Sequence, residues 1–270
     1  MTEKTRFIVL TNGRSGSNFL VNALNQHPEL VNYGEVLGEW TTPWRRRRWL
    51  GVASDDDPAS IARYLDRFFT SRVRFYAAQA ISATDRRGRD EPVRFKRWRD
   101  VKAIGVKEFQ LLFDQRNLGD YLARRADIKV IGLTRSDPVR RYLSRSLLQR
   151  TGQAAARSTE KAVVAKIRLD AEQFIKGVGV VAEENRRLSE ALAAIDDGRK
   201  IVVEYDEYFA APSAMAACND AMFRLLGLAP VPTAGEHRKL NTRGLRDTIE
   251  NYDEILVRAR GTEIAPYMEE

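Results

Sequence analysis

Residues 7–26 carry the arrangement best suited to chemistry on an anion. Phe7-Ile8-Val9-Leu10 is an apolar run that reads as a buried strand. It passes into Thr11-Asn12-Gly13-Arg14-Ser15-Gly16-Ser17, and residues 18–26 then place Phe19, Leu20, Ala23 and Leu24 at helical spacing. Gly13 and Gly16 let the backbone curl tightly, so the amides of residues 14–18 can aim at one anion with a helix N-terminus behind them. Ser15 and Ser17 add hydroxyl donors, and Arg14 adds a fixed positive charge. A ligand-free strand-to-helix turn fits the same residues. The nucleoside-triphosphate loop GxxxxGK[ST] is not matched: Gly16 is followed by Ser17-Asn18, without the lysine that reaches terminal phosphates.

The elements that must position this loop alternate in type. Strand-like runs fall at 30–33, 103–107, 128–134 and 200–204. Helical patterns fall at 61–73, 111–125, 138–149, 158–196, 213–226 and 247–259, with Asp137 and Pro138 placed to cap and start the third and Gly227 to end the fifth. Residues 34–57 and 84–100 read as irregular. This alternation predicts an α/β fold: a three-layer domain with a central, mostly parallel sheet flanked by helices.

The chain has 270 residues, enough for one large domain, and no repeat or long linker divides it. Its longest apolar runs are too short to span a bilayer, and the N-terminus has no secretory pattern. A single cysteine, Cys218, rules out an internal disulfide and suits a reducing cytoplasm. Two distant histidines and one cysteine form no metal-ligand spacing, and His27, beside Pro28, reads as structural. The formal charge is +8, with clusters at Arg45-Arg46-Arg47-Arg48 and at Arg94 to Arg99. This surplus favours an anionic partner. A cofactor, an acidic glycan or a membrane surface each fits; nucleic acid is not expected. Trp40, Trp44, Trp49 and Trp98 stand in these arginine-rich stretches, where they suit either an acceptor groove or core packing.

Gly13-Arg14-Ser15-Gly16-Ser17-Asn18 after a strand resembles the 5′-phosphosulfate loop of sulfotransferases that use 3′-phosphoadenosine 5′-phosphosulfate (PAPS). Arg135-Ser136-Asp137-Pro138 through Ser144 resembles their 3′-phosphate motif. Asn25-Gln26-His27-Pro28-Glu29 with Tyr33-Gly34-Glu35, Arg140 to Ser144 with Gln149-Arg150-Thr151-Gly152, and Ile249 to Glu254 are similar to the bacterial carbohydrate and lipopolysaccharide branch, which includes trehalose sulfotransferases. The resemblance runs from about residue 6 to residue 260 and is weakest at 40–100.

The resemblance implies a P-loop-like fold, PAPS as donor co-substrate and no metal. It places Gly13 to Asn18 around the donor, with Arg14 at the bridging oxygen, and Arg135 and Ser144 at the 3′-phosphate. The separation of 144 − 135 = 9 residues is about one longer than the family pattern, which leaves Arg135 and Ser136 open for that position. Lys239 and Arg243, in the basic segment 237–246, would close over the donor, ahead of a C-terminal helix. Glu35 stands at the family's general base, with Glu39 as its local rival. Lys107 and Gln110 would face the acceptor, and Lys107 would also steady the sulfuryl oxygens. Residues 36–100 read as a variable insertion shaping the acceptor site. The implied reaction is sulfuryl transfer to a hydroxyl of a carbohydrate or glycolipid, with a homodimer and peripheral membrane contact compatible. Two rivals are a P-loop kinase of small molecules and a non-catalytic basic nucleotide- or nucleic-acid-binding protein.

Overall fold

Five strands rich in aliphatic and β-branched residues form one sheet: β1 Thr5–Thr11, β2 Leu30–Asn32, β3 Ala103–Phe109, β4 Ile128–Thr134 and β5 Lys200–Glu204. The computed structural model describes residues 3–55, 57–87, 95–151, 166–233 and 244–269. The strand order is β2-β3-β1-β4-β5, and every pair is parallel. The helices are α1 Ser17–Leu24, α2 Thr42–Arg45, α3 Pro58–Thr70, α4 Arg72–Arg87, α5 Gln110–Gln115, α6 Tyr121–Arg124, α7 Pro138–Thr151, α8 Ala171–Ala193, α9 Tyr205–Tyr208, α10 Pro212–Leu225, α11 Leu245–Thr248 and α12 Tyr252–Ala259.

The sheet is apolar on both faces, as a parallel sheet between two helical layers must be. Ile8, Leu10, Val106 and Val130 share one cluster with Phe68 of α3, Phe113 of α5 and Leu188 and Leu192 of α8. Phe7, Val9, Ile131 and Leu133 share the other with Leu20 and Leu24 of α1 and Phe223 of α10. The α/β, three-layer expectation is met. From the neighbouring strands β1 and β4 the chain runs on to opposite edges of the sheet, to β2 and to β5, which makes their carboxyl ends the switch point where ligands of parallel sheets bind.

Several boundaries differ from the sequence expectation, each for a local reason. The helix expected at 61–73 is two: α3 ends at Thr70, and Val73 lies on α4, 80% exposed. The helix expected at 111–125 breaks at Asn117, whose φ of 53° is a left-handed conformation that asparagine tolerates. The helix expected at 247–259 is interrupted because Ile167 pairs with the chain there: its N–H donates to the Thr248 carbonyl and its carbonyl accepts from Glu250, both at 2.9 Å. Of the helix expected at 158–196, residues 158–165 lie outside the described residues, 166–170 are not helical, and α8 runs from Ala171 to Ala193. Helix α4 reaches Arg87, inside the stretch read as a loop.

Candidate functional site

The loop after β1 is folded by its own polar side chains. Ser15 Oγ donates to the Asn12 carbonyl (2.6 Å) and lies 2.5 Å from Thr11 Oγ1, which donates to the Leu133 carbonyl of β4 (2.8 Å). The Ser15 hydroxyl, expected to face an anion, is instead buried in the loop's scaffold. Two residues take left-handed backbone, Arg14 (φ 68°) and Gly16 (φ 76°); Gly13 does not. A Cβ on Gly16 would sit 2.7 Å from the Phe209 ring and 2.9 Å from Tyr205. Gly16 precedes α1 without a side-chain cap. Among the described residues, the N–H groups of Gly13, Ser15, Gly16, Ser17 and Asn18 meet no acceptor, and neither does the Ser17 hydroxyl. Amides arranged this way at a helix start are an anion cradle.

The loop after β4 brings a second cation to the cradle. Arg135 Nη1 donates to the Arg14 carbonyl (3.0 Å), and its guanidinium lies 4.4 Å over the Tyr205 ring. Its Nε is buried and unpartnered, and no carboxylate lies within ion-pair distance of it among the described residues. Arg14 Nε donates to Ser144 Oγ on α7 (3.1 Å). Burial, then the nearby Arg135 charge, hold the Arg14 guanidinium below its ordinary pKa. The two guanidiniums are close enough for the charge of Arg135 to act on Arg14. Ser136, the rival to Arg135, turns away: its N–H and hydroxyl donate to Glu204 Oε1 at 2.9 and 3.1 Å. The structure thus joins Arg14, Arg135 and Ser144, and Asp137 caps α7 through the Arg140 N–H (2.9 Å), as its position foretold.

Helix α8 fixes the two loops against each other. Arg141, 4% exposed, donates from Nε to the Gly13 carbonyl (2.8 Å), from Nη1 to Asn185 Oδ1 (2.8 Å), and pairs through Nη2 with Glu184. Asn185 Nδ2 donates to the Arg135 carbonyl (2.9 Å), and Asn12 Nδ2 to the Glu184 carbonyl (2.9 Å). Sequence reasoning assigned no role to Arg141, Asn185 or Tyr205. Arg141 carried a signal, because it lies six residues after Arg135 on the helix that Asp137 starts. The other two are joined to the site only by tertiary packing.

At the end of β3, Lys107 turns toward the same loop. It is 2% exposed; Nζ donates to Asn18 Oδ1 (3.0 Å), pairs with Glu35 Oε1 and lies 4.8 Å over the Phe109 ring. Trp40 Nε1 donates to Glu35 Oε2. Glu35 therefore sits beside the cradle, linked to it through Lys107 and Asn18, while Glu39 is exposed and pairs with Arg116 at 3.4 Å. Glu108, fully buried, accepts from the Val36 and Leu37 N–H groups. Burial pushes its carboxyl up to about 8.

Other expected residues take quieter places. Gln110 is 5% exposed, and its amide donates to Asp114 on its own helix (2.8 Å). Lys239 and Arg243 lie outside the described residues. His27 is buried and structural: Nε2 meets the Ala229 carbonyl (2.9 Å) and Nδ1 accepts from Glu29 N–H (3.1 Å). Trp44 is core at 1% exposure, Trp98 packs on Phe75 and Trp49 is exposed. Only Trp40 of the four touches the candidate site. Among the described residues, no group of three His, Cys, Asp or Glu side chains is placed to hold a metal, and no helix is long and apolar enough to cross a membrane.

No protein-family model matches the chain, and no curated protein matches it. Among solved structures it is similar to a sulfotransferase from Alicyclobacillus acidocaldarius, at 13% identity and a TM-score of 0.45, over 99% of this chain and 93% of that one. It is also similar to the sulfotransferase domain of the Synechococcus PCC 7002 olefin synthase, at 14% identity and a TM-score of 0.41, over 85% of this chain and 75% of that one. A sulfotransferase from Mycobacterium avium is similar at 15% identity and a TM-score of 0.41, over 86% of this chain and 66% of that one. The functional reading rests on this chain's own residues.

Proposed function

We propose that this chain is a PAPS-dependent sulfotransferase acting on a hydroxyl of a carbohydrate or glycolipid. One observation carries the reading. An amide cradle, two adjacent guanidiniums and the Lys107–Glu35 pair converge at the carboxyl ends of β1, β3 and β4. A donor with phosphates at both ends of its ribose and a sulfuryl group to lose needs such a site.

The cradle and Arg14 hold the 5′-phosphosulfate, while Arg135 and Ser144 hold the 3′-phosphate. The acceptor oxygen bonds to sulfur as the bond from sulfur to the bridging phosphate oxygen breaks. Its proton passes to Glu35, and the electron pair of the broken bond leaves on adenosine 3′,5′-bisphosphate. Charge grows on the bridging oxygen during the step, so Arg14 stabilises the transition state more than the ground state. Lys107 neutralises the sulfuryl oxygens and orients Glu35. Each Glu35 oxygen keeps a lone pair beyond the bonds to Lys107 and Trp40, so the carboxylate can still accept a hydroxyl proton. The exposed Trp40 ring beside Glu35 offers an apolar face to a sugar.

Turnover of radiolabelled PAPS with a panel of trehalose, glycolipid and lipopolysaccharide acceptors tests this reading. Labelled sulfate ester with release of adenosine 3′,5′-bisphosphate is expected. Full retention of label on PAPS with every acceptor, by protein that binds the bisphosphate, removes the carbohydrate assignment.

A further inference from the structure

Beyond the donor site, the segment bearing Glu35 is held by an unusual device. The β2 ladder stops at Asn32, and the chain peels away from the sheet just before Glu35. Val36 and Leu37 are fully buried, so their N–H groups need an acceptor that the ladder does not supply. Glu108 Oε1 accepts from both, at 2.8 Å from Leu37 N and closer still to Val36 N. From the other side, Tyr64 Oη donates to the Val36 carbonyl (2.7 Å). Upstream, Lys107 N donates to the Gly34 carbonyl (3.0 Å) and Gly34 N donates to Asn32 Oδ1 (2.8 Å). Residues 34, 36 and 37 are thus gripped through main-chain atoms, and residue 35 between them has its side chain paired with Lys107. Lys107 and Glu108 are adjacent on β3, so one strand end sets both the partner of Glu35 and the backbone that carries it.

We infer that Glu108 is a positioning residue for Glu35: with Tyr64 it clamps the 36–37 backbone and holds the Glu35 carboxylate against Lys107, within reach of the acceptor. The inference rests on the reading of Glu35 as the base. Removing the Glu108 carboxyl frees the two amides, and Glu35 loses its place while the donor cradle, built from other elements, keeps its own. The effect belongs on kcat and not on donor binding.

The experiment uses the full chain with Glu108→Ala, Glu108→Gln, Tyr64→Phe and Glu35→Gln. It reads kcat, affinity for adenosine 3′,5′-bisphosphate, and amide hydrogen exchange in the peptide containing residues 34–38. For Glu108→Ala the expected result is a kcat at least tenfold lower, bisphosphate affinity within twofold of wild type, and faster exchange at 36–37. Glu108→Gln, which keeps an oxygen facing both amides, restores most of the turnover. Wild-type kcat in Glu108→Ala, or unchanged exchange at 36–37, overturns the clamp. Should Glu108→Ala not fold, Tyr64→Phe decides: kcat at least threefold lower with intact bisphosphate affinity supports the clamp, and unchanged kcat overturns it. Failure of the underlying reading looks different, because Glu35→Gln would then turn over like wild type.

Discussion

Arg14 Nε lies 3.1 Å from Ser144 Oγ although the two residues are 130 positions apart in the chain. The bond ties the loop after β1 to the helix after β4. Arg135 makes the second tie, from its guanidinium to the Arg14 carbonyl. The proposed donor, with its two phosphates, would bridge the same two loops. Charge-assisted hydrogen bonds of about 1.5–3 kcal/mol set the scale for losing one contact. Ser144→Ala is expected to weaken binding of adenosine 3′,5′-bisphosphate about tenfold, as measured by calorimetry. A variant that binds like wild type would remove Ser144 from the site.

The two loop glycines are expected to behave differently. Gly16 combines a φ of 76° with ring atoms of Phe209 and Tyr205 under 3 Å from any Cβ, so Gly16→Ala strains the backbone and displaces the rings. Its cost is about 1–3 kcal/mol in unfolding free energy, with loss of bisphosphate binding. Gly13 has ordinary φ, and a Cβ there meets nothing within 4 Å, so Gly13→Ala is expected to stay within about 0.5 kcal/mol of wild type. Urea unfolding of the two variants, measured together, decides whether the loop has this shape.

Much of this framework was legible in the sequence. Apolar runs located all five strands because a parallel sheet covered on both faces leaves little room for polar residues. The loop and Arg135 could be named from the sequence because the proposed site lies at the carboxyl ends of β1 and β4, just past those runs. Glu35 and Lys107 were named separately, yet their pairing depends on β2 and β3 being neighbours, which no local pattern states. Ser15 shows the opposite limit: a serine in a tight loop satisfies either a ligand or the loop, and here Asn12 and Thr11 take its hydroxyl. Arg141, Asn185 and Tyr205 had no role assigned from the sequence because they come from α7, α8 and α9 and meet the loops only through tertiary packing. The breaks at Asn117 and Ile249 escaped too, since helical periodicity continues through both.

Arg141 offers a test of how the cradle is supported. Its guanidinium is almost wholly buried and pairs with Glu184 while donating to the Gly13 carbonyl. Arg141→Ala leaves Glu184, at a largely buried position, with only the exposed Arg145 at 4.0 Å, and is expected to cost about 3 kcal/mol in unfolding free energy. Bisphosphate affinity should fall as well, because Gly13 loses its tether. A loss below about 0.5 kcal/mol would mean that α8 does not brace the loop.

Glu108 gives a pH dependence with a defined sign. Its folded-state pKa is raised, to about 8 from an ordinary 4.5, chiefly by burial. The folded chain therefore holds the proton more tightly than the unfolded chain does. This contribution to stability is complete below about pH 4.5 and is lost as pH rises through about 8. Glu108→Gln is expected to flatten the decline of stability between those limits, measured by chemical denaturation across pH. An unaltered pH profile in that variant would show that Glu108 is already ionised in the fold.

Glu35→Gln separates binding from chemistry. It keeps the shape of the side chain and a hydrogen-bonding oxygen for Lys107 but cannot take the acceptor proton. The expected loss in kcat is about 10²–10⁴, with bisphosphate affinity nearly unchanged. Equal losses in both would place Glu35 in donor binding instead.

The most direct measurement is isothermal titration of the wild-type chain with adenosine 3′,5′-bisphosphate, with ATP–magnesium as comparison and Arg135→Ala as control. The expected result is saturable bisphosphate binding, much weaker binding of ATP–magnesium, and an affinity about a hundredfold lower in Arg135→Ala. A folded protein that ignores the bisphosphate, or binds ATP–magnesium more tightly, would contradict the sulfotransferase assignment.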